Sequence, residues 1–185
     1  MKNIHTIIIT TTILLASLSS CGENKETKEQ LTQLTEINNQ LDSIRSILLE
    51  LNFDSIYHYS QDMAADKKAI KTNYHSDSVD VNLARKINRF NGIRKQFGKA
   101  ASKGLTFKKK LDVQQEQTNK LLNDIKIGAG HKEKYQDYVN LEIKNMQQLS
   151  EEFNELHEVS ARNLKEYKEI NPFIKSFIEE LRKVD

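Results

Sequence analysis

The fold is decided by LTEINNQLDSIRSILLEL, residues 34–51, in which Leu34, Ile37, Leu41, Ile44, Leu48 and Leu51 recur at spacings of three, four, three, four and three. Alternating threes and fours average 3.5 residues, which returns each apolar side chain to one helix face and makes a seam for a partner helix. Beyond Asn52 the pattern loosens and then resumes with Phe53, Ile56, Tyr57, Met63, Ala64 and Ile70. One long helix, kinked near Asn52, is the expectation.

The cluster from Asn73 to Ser78 is rich in turn formers, and Asp77 or Ser78 is placed to cap the next helix. Its stripe is Leu83, Ile87, Phe90, Ile93 and Phe97, with an interruption expected at Ser102-Lys103-Gly104. Phe107, Leu111, Leu121, Leu122 and Ile125 carry the face on to Gly128-Ala129-Gly130. The last segment runs from Tyr135 through Val139, Met146, Leu149, Phe153, Leu156, Leu164 and Tyr167 to Ile170. Asn171-Pro172 reads as a cap followed by proline in a first helical turn, so a separate final helix is expected there, with Phe173, Phe177, Ile178 and Leu181 facing inward. No segment sustains the two-residue alternation of a half-buried strand.

Segments 24–72, 77–127 and 131–184 are of matched length, each about 75 Å long if wholly helical at ~1.5 Å per residue. Matched lengths and short turns predict an all-α fold, an elongated antiparallel three-helix bundle with kinked long helices. If Asn52 and Gly104 instead reverse the chain, the prediction becomes a shorter four- or five-helix bundle. Residues 29–185 form one domain on this reading.

The 185 residues are 37% hydrophobic and 29% charged, too apolar for wholesale disorder and too polar for a thick layered core. A single cysteine excludes an internal disulfide framework and any multi-cysteine metal cluster. His58 and His157 lack a Glu three residues before them, as a helical metal site would want, and His75 and His131 fall in turns. Gly92 to Gly98 has five residues between its glycines and no Ser or Thr after Lys99, so it is no phosphate loop. No nucleophile elbow occurs. No catalytic residue, metal or cofactor is expected, and the chain reads as a non-enzyme.

Residues 1–20 place Lys2 ahead of about a dozen mostly apolar residues, the pattern of a signal peptide. Leu18-Ser19-Ser20-Cys21 resembles the lipobox of bacterial lipoproteins, a specific motif that covers only this first stretch. The resemblance implies that Cys21 carries a diacylglyceryl thioether and an N-acyl chain and becomes the first residue of the mature protein. Two or more acyl chains hold a protein stably on a bilayer. Gly22 stands where many inner-membrane lipoproteins carry Asp, so the resemblance favours the outer membrane of the cell envelope over the inner. Residues 21–28 read as the lipidated Cys and a polar tether.

Charge is segregated along the chain. Residues 81–111 contain Arg85, Lys86, Arg89, Arg94, Lys95, Lys99, Lys103, Lys108, Lys109 and Lys110 with no acid, whereas 21–80 carry −5 and 142–185 carry −3. The favoured expectation is that this basic helix faces acidic neighbours in its own bundle. The alternative is a surface for an anionic partner, such as lipid headgroups, lipopolysaccharide or an acidic protein, with Arg85, Arg89, Lys95, Lys99, Lys103, Lys108, Lys109 and Lys110 as its contacts. Export argues against nucleic acid. Two functions follow: an anchored, non-catalytic helical spacer or protein-interaction module of the envelope, or a helical carrier holding a small apolar or anionic ligand between helices near Phe90, Phe97 and the basic run. Oligomeric state stays open.

Overall fold

A computed structural model describes residues 25–76, 78 and 80–184. The stretch read as a signal peptide, Cys21 and Asp77 lie outside the described residues. Those residues are all-α: α1 (Lys25–Leu51), α2 (Phe53–Asn73), α3 (Val81–Ile127) and α4 (Tyr135–Val184), with a single 3-10 turn at Lys132–Lys134. α1 starts inside the stretch expected to be a tether. Glu26 lies in its first turn, where a negative charge suits the helix dipole, and Gln30 is already buried against Gln136 of α4.

Asn52 alone separates α1 from α2. Its left-handed backbone, φ 44° and ψ 73°, breaks the helix, and its side chain then restarts it by accepting from the Ser55 N–H at 3.0 Å. The chain does not reverse there, because partners on α3 keep stepping in one direction across the break. Asn38 meets Asn119 and Arg45 meets Asp112 before it, Phe53 meets Gly104 beside it, and Ser60 meets Arg94 after it. Between α3 and α4 the pairs likewise run oppositely, from Lys86 and Phe173 through Phe97 and Tyr167 to Phe107 and Phe153. Toward α4, the first arm runs the same way: Gln30 pairs with Gln136, Tyr59 stacks on Tyr167 and Asp66 pairs with Lys175.

Three expectations are corrected. Asp80, not Asp77 or Ser78, caps α3 through the Asn82 and Leu83 N–H groups. Ser102-Lys103-Gly104 does not interrupt α3, because Gly104 lets the Phe53 ring lie on the helix backbone: a Cβ there would sit 2.5 Å from the ring's Cγ. Pro172 does not begin a new helix. It lies inside α4, where the buried Ile170, Ile174 and Ile178 around it carry the helix past the missing N–H.

The core is continuous from Leu34 to Ile178, and Leu34, Leu41, Ile56, Met63, Phe90 and Phe107 are fully buried within it. Leu48 and Leu51, beside the kink, are half-buried. The turn between α3 and α4 is closed by Gly128 in the left-handed region and by the Tyr135 hydroxyl, which donates to the carbonyls of Asp124 and Ala129 at 3.1 and 2.6 Å.

Candidate functional site

The basic run falls on α3, and its charges divide by helix face. One flank turns toward α4. There Arg89 donates to Glu166 and Glu169 at 3.3 and 3.0 Å, Lys110 pairs with Glu152 at 2.7 Å, and Lys103 approaches Glu155 at 3.8 Å. Donating to Glu169, and secondly to Glu166, holds the Arg89 guanidinium above its already high range. Lys86 places its ammonium 3.6 Å from the centroid of the Phe173 ring, a cation–π contact. Arg94 is half-buried on the opposite flank, where its carbonyl accepts from the Ser60 hydroxyl at 3.2 Å.

Arg85, Lys95, Lys99, Lys108 and Lys109 are exposed and make no ion pair among the described residues. Positions 85, 88, 92, 95, 99, 102, 106 and 109 recur at threes and fours, and all are exposed. They trace a ridge on the side of α3 away from the seam of Phe90, Phe97, Gly104 and Phe107. Intramolecular neutralisation therefore accounts for Arg89, Lys103 and Lys110 and leaves the ridge cations to solvent. The reason is geometric: a helix packed on two neighbours can offer charges to them only from its flanks.

A carrier would hold its ligand near Phe90, Phe97 and the basic run. Both rings are 0% exposed, and Phe97 lies against Tyr59 and Tyr167 at 6.2 and 5.6 Å between centroids, so protein side chains occupy that space. A groove of about 410 Å³ opens elsewhere, at the Asn52 kink, lined by Leu48, Leu49, Phe53, Leu105 and Lys108. Leu49 and Leu105 are exposed there.

His157 packs on the Phe153 ring at 5.7 Å, His58 is exposed, and His131 contacts Glu133 at 3.1 Å. Among the described residues no three His, Cys, Asp or Glu side chains converge as a metal ion would need. Of the tyrosines around His58, Tyr59 packs and Tyr57 is exposed, as amphipathic spacing predicts.

Reading apolar residues alone missed a polar layer inside the bundle. Glu142 is 8% exposed, and its Oε2 accepts from Gln114 and, at 3.4 Å, from the fully buried Thr118 hydroxyl. Loss of hydration pushes the Glu142 carboxyl above the ordinary glutamate range, against the pull of both hydrogen bonds. The signal was present in the spacing. Phe107, Leu111, Gln114, Thr118 and Val139, Glu142, Met146 keep the alternation of threes and fours, so the polar members occupy seam positions.

Scanned against models of known protein families, curated proteins and solved structures, the chain matches none of them. Among the described residues no helix is long and apolar enough to cross a membrane.

Proposed function

We propose that this chain is a lipoprotein of the bacterial cell envelope, anchored through Cys21, whose helical body is a non-catalytic spacer or protein-interaction module. Its three arms form an elongated antiparallel three-helix bundle, and outer-membrane attachment follows from Gly22 at the sorting position. The observation that carries the reading is the continuous core from Leu34 to Ile178, which runs through long arms without a chain reversal at Asn52. A rod of that kind offers long exposed helical faces beside its anchor, which is what contacts within the envelope require. Support for the anchor comes from the Leu18-Ser19-Ser20-Cys21 motif.

Replacing Cys21 with Ser tests the anchor. The expected outcome is loss of acyl label and release of the protein from membranes; full retention together with full acyl labelling contradicts it. Crosslinking in intact cells, followed by purification, then identifies what the rod touches. A second reading, a carrier for a small apolar or anionic ligand, is favoured by the groove at the kink, where Leu49 and Leu105 lie beside Lys108, which makes no ion pair among the described residues.

A further inference from the structure

We infer that the outward ridge of α3 is a docking face for an anionic lipid surface. Along it Arg85, Lys95, Lys99 and Lys109 are exposed with no ion pair among the described residues, and the positions between them carry only Asn88, Gly92, Ser102 and Thr106. No acid occurs from 81 to 111, so nothing on the ridge itself offsets its field. α3 is unbroken, which makes the ridge from Arg85 to Lys109 straight over about 36 Å at ~1.5 Å per residue.

Three observations choose lipid headgroups over other anions. The ridge holds no apolar side chain between Arg85 and Lys109, whereas a protein interface needs a desolvated apolar centre. Three of its four cations are lysines, compact charges on flexible stems that suit a fluid array of phosphates better than the fixed, paired geometry arginine serves. The small neutral residues between them leave the ridge open: a Cβ at Gly92 would meet nothing within 4 Å. The face complements the anchor of the preceding proposal, since acyl chains and a basic patch together hold a protein more firmly than either alone. The rod then lies along the bilayer rather than standing on it.

The test separates the ridge from the anchor by using residues 25–185, which contain the whole core, with helicity checked by circular dichroism. Sedimentation with vesicles of phosphatidylcholine containing phosphatidylglycerol is compared with phosphatidylcholine alone. Each lysine near an anionic surface contributes roughly fivefold in affinity, so the Lys95→Gln, Lys99→Gln, Lys109→Gln variant is expected to bind anionic vesicles at least tenfold more weakly. Binding should also weaken as salt rises. The matched variant Arg89→Gln, Lys103→Gln, Lys110→Gln, which removes the same charge from the α4-facing flank, is expected to lose less than threefold. Equal losses in the two variants, no preference for anionic vesicles, or binding to soluble polyphosphate without binding to vesicles would each overturn the inference. Because these chains carry no Cys21, such a failure leaves the anchor to its own acyl-label test.

Discussion

Glu142 occupies a position where the seam calls for a leucine, between Val139 and Met146, and burial there opposes its ionisation. Its folded pKa is raised by burial, so folding favours the protonated acid. The sign follows: its contribution to stability is fully present below the unfolded value of about 4.3 and is lost as pH rises through the higher folded value. Glu142→Gln keeps an acceptor for Gln114 and Thr118 and removes the charge. Thermal unfolding should therefore give a higher Tm for the variant at pH 8, with the gap closing toward pH 4; an equal gap at both pH values would contradict the burial account. A buried polar layer of this kind favours one pairing of helices over shifted ones. The sequence showed where the layer falls but not that it would be buried, because a lone carboxylate at a seam position is tolerated only when Gln114 and Thr118 arrive from another helix. That arrival is tertiary information.

Within α3, two glycines make opposite demands. Gly104 faces the Phe53 ring, so Gly104→Ala forces the ring to move, an overpacking cost of about 1–3 kcal/mol that exceeds the ~1 kcal/mol gained in helix propensity. Gly92 meets open space, and Gly92→Ala should raise stability by roughly 0.5–1 kcal/mol. Chemical denaturation of both variants checks the contrast, and stabilisation by both would remove the packing explanation for Gly104. Gly104 read as a break because glycine in a helix is unfavourable in isolation; only the neighbouring arm reveals why it is there. Pro172 misled for the same reason. Its lost hydrogen bond is local, while the burial of Ile170, Ile174 and Ile178 that outweighs it is not. Asn52 was legible, since both the apolar rhythm and the residue's tolerance of left-handed backbone point to a break.

For the whole molecule, all-α character and three arms of near-equal length were legible from periodicity and turn residues. The outcome for the charges was only half legible: a sequence shows that ten basic residues fall together, but which flank meets Glu152, Glu166 and Glu169 depends on helix rotation in the bundle. In the proposed rod, α1 and α2 form one extended arm rather than two sides of a hairpin. Spin labels at the exposed Glu29 and Thr72, introduced as Glu29→Cys and Thr72→Cys with Cys21→Ser, measure this directly by pulsed electron resonance. At ~1.5 Å per residue an extended arm separates them by about 60–65 Å. A distance near that value is predicted, and a distance below roughly 30 Å, as a chain reversal at Asn52 would give for helices 8–10 Å apart, would contradict the rod.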